Sequence, residues 1–185
     1  MPELQRLHAG HAPAVLAFEL ANRAWFAASV SDRGDAFFTH FPARFDALLS
    51  EQETGLCAFH VLLDEHGAVL GRFNLVDLVD GTAELGYRVA EHATGHGLAT
   101  TTVRELCRLA TTRYALHTLR AATAHTNLAS QKVLTKNGFI EVGPADPGDL
   151  GGKEGVWYER ELRTTRPPAR SPAADASAPA RRRTP

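Results

Sequence analysis

A glycine-rich turn, Thr94-Gly95-His96-Gly97-Leu98-Ala99-Thr100, separates two stretches of different periodicity. Before it, Ala83, Leu85, Tyr87 and Val89 alternate with Glu84, Gly86 and Arg88, the period of two expected of a half-buried strand. After it, Ala99, Val103, Leu106, Cys107 and Ala110 recur at helical spacing over residues 97–113. A strand, a glycine turn and an amphipathic helix in immediate succession require a mixed fold in which strands and helices pack together. The chain is 44% hydrophobic, enough to supply the core such a fold needs. A helix opened by glycines also directs unpaired backbone N–H groups, at the positive end of its dipole, toward one point. A phosphate or pyrophosphate suits that point.

Three phosphate-binding patterns compete for the turn. A P-loop needs a lysine after its second glycine, and none is present. A dinucleotide fingerprint fits Gly95 and Gly97 but meets Thr100 at its third position. The strand expected next, residues 116–124, also lacks an acidic residue at its end for a ribose. The third pattern is an acyl-CoA pyrophosphate loop, which resembles that of the GNAT superfamily of N-acetyltransferases. Thr94-Gly95-His96-Gly97-Leu98-Ala99 matches it at Gly97 and Ala99 and departs at Thr94, where Arg or Gln is usual. A bare glycine turn without a ligand also fits this stretch taken alone.

A second motif lies about thirty residues on, from His125 to Phe139. Asn127 is suited to cap a helix, its side-chain oxygen accepting an orphan N–H of the first turn. Gly138 is placed to end that helix in the left-handed region. The chain thus presents Glu84-Leu85-Gly86-Tyr87, Gly95-His96-Gly97, Asn127-Leu128-Ala129-Ser130 and Gly138-Phe139 in order. That combination resembles the RimJ/RimL-type branch of the GNAT superfamily over roughly residues 3–162. The resemblance implies an α+β fold, with a central twisted mixed sheet of about seven strands and helices on both faces.

The remaining periodicity agrees with that order. Strands are expected at residues 4–7, 56–63, 68–78, 83–89, 116–124, 139–142 and 156–162. Helices are expected at residues 13–28 and 35–51, the second interrupted by Pro42, besides the two already described. Residues 143–155, rich in Gly, Pro and Asp, read as a loop. Residues 1–163 form one expected domain; residues 164–185 form a Pro/Ala/Arg-rich tail without a large apolar side chain, expected to be disordered.

The net charge of −1 divides unevenly. The tail holds five arginines and one aspartate, so residues 1–163 carry 15 basic and 20 acidic side chains, a net −5. On that balance a cationic amine is the better acceptor and an anionic one the worse. Cys57 and Cys107 form no Cys-x-x-Cys unit, and Cys107 reads as a buried free thiol. No signal peptide or membrane-length apolar run is visible, which predicts a cytoplasmic protein without a membrane partner. His92 and His96 are spaced across a glycine turn with no carboxylate or cysteine grouping to complete a site, so no metal is expected. Nucleic acid is not an expected partner, although Arg181-Arg182-Arg183 is basic. Monomer and homodimer both remain open.

The resemblance implies acetyl-CoA as co-substrate and transfer of its acetyl group to a primary amine. It assigns the pantetheine arm to the backbone of Tyr87 and Val89. The pyrophosphate falls to Thr94, Gly95, His96, Gly97, Leu98, Ala99 and Thr100, with Thr101 as a further hydroxyl. Asn127 binds a pantetheine amide or carbonyl. Glu84 is the candidate base, acting through an ordered water, with an ion pair to Arg88 or a neighbour as the alternative. Ser130 is the candidate hydrogen-bond donor to the departing thiolate, because Leu134 occupies the place where many relatives carry a tyrosine. Its alternative is a backbone bond in the first turn. Trp25, Phe26, Phe37, Phe38 and Phe41 suggest an aromatic acceptor wall, or core. The leading acceptor is a protein N-terminal amine; a small-molecule amine and an inactive acyl-CoA-binding module are the alternatives.

Overall fold

The computed structural model describes residues 1–28 and 32–162. The tail at residues 164–185, expected to be disordered, lies outside the described residues. Seven strands form one sheet: β1 (Glu3–Arg6), β2 (Ala58–Leu63), β3 (Val69–Val79), β4 (Thr82–Val89), β5 (Thr118–Ala124), β6 (Ile140–Ala145) and β7 (Gly155–Glu161). Their spatial order is β1-β2-β3-β4-β5-β7-β6. All neighbours are antiparallel except β4 and β5, so the sheet is mixed, as the sequence resemblance implies.

The helices are α1 (Ala12–Ala21), α2 (Arg23–Ala27), α3 (Asp35–Thr39), α4 (Phe41–Glu53), α5 (Leu98–Tyr114) and α6 (Leu128–Lys136). Two buried polar contacts show which face each group covers. Arg72 on β3 donates to Glu19 on α1 at 2.6 Å, which puts α1 on the face presented by Arg72. The neighbouring residue Phe73 turns the other way and stacks on Tyr87, whose hydroxyl meets Ser130 on α6. His60, register partner of Phe73, bonds the Tyr114 hydroxyl of α5 on that second face at 2.9 Å. Helices therefore cover both faces. Phe73, Leu75, Val103, Leu106, Leu119 and Leu134 are among the most deeply buried side chains, and Val15, Phe45 and Val61 join them.

Two elements differ from the periodicity, and a third follows it. The single helix expected at residues 13–28 is broken at Asn22, whose backbone (φ −109°, ψ 12°) leaves the helical region. Its side-chain amide donates to the Phe18 carbonyl, and its oxygen accepts the Glu91 N–H, both at 2.9 Å. Those bonds tie the break to the segment leading into the glycine turn. In the second region the interruption does occur, with His40 ending α3 just before Phe41-Pro42 begins α4. Finally, β6 runs to Ala145, into the expected loop. Its Pro144 is tolerated because β6 is an edge strand, and the ladder shifts register between Glu141 and Gly143.

β4 keeps strict alternation. It pairs with β3 without interruption from Gly71↔Val89 to Val76↔Glu84, and the ladder's irregularity falls between Val76 and Val79, at the left-handed Asp77. Glu84, Gly86 and Arg88 thus face the α1 side, and Leu85, Tyr87 and Val89 the α5 side.

Candidate active site

The β4–β5 ladder is short. It pairs Thr82 with Thr118, Ala83 with Leu119 and Glu84 with Arg120, and then stops. Both strands nevertheless continue, β4 to Val89 and β5 to Ala124, while β7 pairs with the opposite edge of β5 along its whole length. The parallel strands therefore separate, and a cavity lies on each side of the gap. One, of about 320 Å³, is lined by the glycine turn, Trp25, Val89 and the inner face of α6. The other, of about 520 Å³, lies on the α1 side and is lined by Arg72, Asn74, Gly86, Ala122 and Asp149 among others. Tyr87, Arg88, Asn127 and Ser130 line both, so the two cavities meet at these residues.

The smaller cavity has the features of an anion cradle. Gly95 and Gly97 are left-handed (φ 83° and 73°), and a Cβ built on either would meet no atom within 4 Å. Open space thus lies against the backbone at the start of α5, where the N–H groups lack helical partners. Thr94, Gly95, Gly97, Leu98, Ala99 and Thr100 line it; His96 is exposed and does not. The hydroxyl of Thr94 donates to the Glu91 carbonyl at 2.7 Å, closing its own turn. Thr101, expected to offer a hydroxyl, instead donates to the Gly97 carbonyl at 3.2 Å. Lys132 and Lys136, one helical turn apart on α6, line the same cavity. No motif announces their cationic role, only their spacing on the helix.

At the junction, Tyr87 and Ser130 share a hydrogen bond of 3.0 Å. Burial pushes the Tyr87 phenol up to about 12. Asn127 caps α6 as expected, its Oδ1 accepting the Ser130 N–H at 3.1 Å. Leu134 is fully buried in the core, where it has no access to a leaving group. The Val89 carbonyl, expected to be free, already accepts the Trp25 Nε1–H at 3.3 Å.

Glu84 is half-buried, and burial, followed by the charges of Asp77 and Asp149, raises its carboxyl above the ordinary value. No ion pair among the described residues involves it. Arg88, its expected alternative partner, turns to Glu19 at 3.2 Å. Glu84 does not itself line either cavity, although its neighbour Leu85 does. The expected aromatic wall divides differently. Trp25 and Phe26 line the smaller cavity, while Phe37 and Phe41 are buried core. The larger cavity has no aromatic wall of this kind and is lined by Arg33, Arg72, Arg88, Asn74 and Asp149 among others.

The family model described as the acetyltransferase (GNAT) domain matches residues 3–140. The chain belongs to the GNAT acetyltransferase family. Acetyl-CoA is the acyl donor of GNAT enzymes, and the glycine turn with its open backbone fits its pyrophosphate. The GNAT fold is equally evident in solved structures. A ribosomal-protein-S5-alanine acetyltransferase from Vibrio fischeri superposes with a TM-score of 0.82 at 19% identity, covering 90% of this chain and 96% of that one. RimL, a ribosomal L7/L12 α-N-protein acetyltransferase in complex with coenzyme A, gives 0.77 at 18% identity, covering 87% and 94%. A spermidine N-acetyltransferase from Vibrio cholerae, in complex with CoA and spermine, gives 0.71 at 17% identity, covering 88% and 96%. No curated protein matches this GNAT chain in sequence. Among the described residues no cluster of His, Cys, Asp or Glu could hold a metal ion, and no helix is long and apolar enough to cross a membrane.

Proposed function

We propose that this acetyltransferase acts on the α-amine of a protein N-terminus. The observation that carries the reading is the separation of β4 from β5 beyond Glu84 and Arg120, which joins a donor cavity to an acceptor cavity at Tyr87, Asn127 and Ser130. Two substrates can meet there without either crossing the sheet elsewhere. The S5-alanine, RimL and RimJ acetyltransferases among the similar structures supply the protein acceptor as the leading class. A small-molecule amine is the second reading, favoured by the size of the acceptor cavity, about 520 Å³, which lies within the range of small-ligand sites.

Acetyl-CoA supplies an acyl group activated as a thioester. Backbone N–H groups of residues 95–100 hold its pyrophosphate, and Lys132 and Lys136 supply the positive charge that Thr94 lacks. Asn127 has its Oδ1 committed to the cap, so its amide nitrogen is the group left to bind pantetheine. The Val89 carbonyl serves the arm only by giving up its bond to Trp25.

The acceptor ammonium loses its proton to Glu84 through water; a raised carboxyl is a better base for this than an ordinary one. Ser130 and Tyr87 stabilise the leaving sulfur as hydrogen-bond donors. A phenol at about 12 holds its proton too tightly to surrender it to a thiolate whose acid has a pKa near ~8.5. Solvent therefore reprotonates the thiol. Thiol release from acetyl-CoA, measured over N-terminal peptides and small amines, tests the reading. Turnover of peptides above that of small amines supports it. Acetyl-CoA binding without turnover on any acceptor overturns it.

A further inference from the structure

The acceptor cavity concentrates positive charge that the chain as a whole does not have. Arg33, Arg72 and Arg88 all line it. All three converge on one carboxylate, Glu19, which is only 2% exposed. Arg72 reaches Oε1 at 2.6 Å; Arg88 and Arg33 share Oε2 at 3.2 and 3.6 Å. A carboxylate has about four lone-pair sites, whereas each guanidinium brings five N–H donors, so most of the donors in this cluster are not spent on Glu19. Arg23 nearby is a useful contrast. It pairs with both Asp32 and Asp35, at 2.6 and 2.7 Å, and does not line the acceptor cavity.

The crowding leaves a mark on the arginines themselves. Burial and the neighbouring guanidiniums push Arg33 down to about 10 and lower Arg88 as well, which is the response of cations short of counter-charge. Arg72 is 3% exposed, so water supplies little of what is missing. A second observation lies in the same cavity. The side-chain oxygen of Asn74, which lines it, is buried and has no hydrogen-bond partner. Such an atom costs free energy unless something donates to it. The one acidic residue of the lining, Asp149, stands on the helical turn Pro147–Leu150, which packs on β5. The cavity is therefore polarised, cationic over β3 and β4 and acidic over β5. Glu84 lies outside the lining, but its carboxyl feels the charge of Asp149 after that of Asp77.

We infer that the acceptor carries a carboxylate or similar anion close to the amine that is acetylated, held by Arg33, Arg72 and Arg88. The inference rests on the transferase reading above and narrows its acceptor class. Guanidinium forks match a carboxylate in two parallel N–H bonds, so they both bind it and orient it. The amine then lies on the acidic side, toward Asp149 and Glu84, with the Asn74 oxygen available to an N–H of the same molecule. A polyamine, cationic at every nitrogen, meets repulsion where this acceptor meets attraction. The net −5 of residues 1–163 points the other way, because it averages over a surface the substrate does not touch.

Thiol release is measured on peptides identical except for their first two residues, which are aspartate, alanine or lysine; spermidine and free aspartate form separate arms. The expected order of kcat/KM is aspartate, alanine, lysine, with a spread of about tenfold or more. Preference for the acidic peptide assigns the anion to a protein N-terminus, and preference for free aspartate assigns it to a small amino acid; both support the inference. Faster turnover of the lysine peptide or of spermidine overturns it. Arg33→Glu should collapse the order while leaving the thermal shift by acetyl-CoA unchanged, and Arg33→Gln should fall between. An unchanged order in both variants overturns the inference and makes the arginines architectural. Should acetyl-CoA bind but no acceptor turn over, the transferase reading fails, and the anion site is then judged alone. Succinate titrated calorimetrically into the CoA-loaded protein should bind the wild type and not Arg33→Glu. No binding to the wild type overturns the inference.

Discussion

On one side of the β4–β5 gap the lining that matters is backbone; on the other it is long side chains. The proposed donor cavity takes its backbone N–H groups from a single run of chain, the turn at residues 94–100 and the first turn of α5, with Lys132 and Lys136 of α6 adding charge. Its shape is fixed by two left-handed glycines and needs no particular side chain. The acceptor cavity is assembled from Arg33, Arg72, Arg88 and Asn74, whose positions depend on α1 lying across β3 and β4. A backbone cradle binds any ligand with the right phosphate, whereas a side-chain cluster can be retuned by single substitutions without disturbing the fold. This division suits an enzyme whose donor is shared by its family and whose acceptor is its own.

The largest effect expected is at the proposed base, which lines neither cavity. Glu84→Gln should lower turnover by about 100-fold, with acetyl-CoA affinity unchanged. The same variant should melt slightly higher at neutral pH. A carboxyl raised in the folded state stabilises the fold below its unfolded pKa, and that contribution is lost as pH rises through the folded pKa. At neutral pH the wild type carries an ionised group in a half-buried place, and glutamine removes that charge. In the wild type, kcat/KM should rise with pH through a carboxylate titration displaced above the ordinary Glu range, and this limb should vanish in the variant. Turnover equal to wild type would remove Glu84 as base.

A matched pair of glycines tests whether the two cavities are independent. Gly97→Val puts a branched side chain at φ 73°, a conformation costing roughly 1–2 kcal/mol, and should weaken acetyl-CoA binding by about tenfold. Gly86 faces open space in the acceptor cavity only. Gly86→Leu should lower kcat/KM for the acceptor by about tenfold and leave the dissociation constant of acetyl-CoA alone. Equilibrium titration of CoA, together with acceptor saturation curves, separates the two. If both variants moved both parameters equally, the cavities would not be separable sites. The smallest effect belongs to the lysines. Lys132→Ala with Lys136→Ala should weaken acetyl-CoA binding by about threefold, less at high salt.

The same division decides how much of the molecule is legible in its sequence. Asn127 as a cap, Gly138 as a left-handed stop and the alternation of β4 are each written within a few consecutive residues, and each appears where expected. The break at Asn22 is hidden, because what stabilises it is the N–H of Glu91, far along the chain. Arg72 and Glu19 are separated by 53 positions, so no local pattern joins them. The aromatic residues mislead for a related reason. Helical spacing reveals an apolar face but not what that face meets, and Phe37 and Phe41 meet core. For Tyr87 the sequence points to the backbone alone, and only the placement of α6 brings its hydroxyl to Ser130.

The indole of Trp25 has a use as a reporter. It lines the donor cavity, is 40% exposed and holds the Val89 carbonyl, while the chain's other tryptophan, Trp157, lies under Arg120 on β7. A ligand arm laid along the end of β4 changes both the hydration and the hydrogen bonding of one fluorophore and leaves the other untouched. In a Trp157→Phe background, the emission of this protein becomes a label-free optical gauge of donor occupancy, fast enough to time arrival and departure within a single turnover.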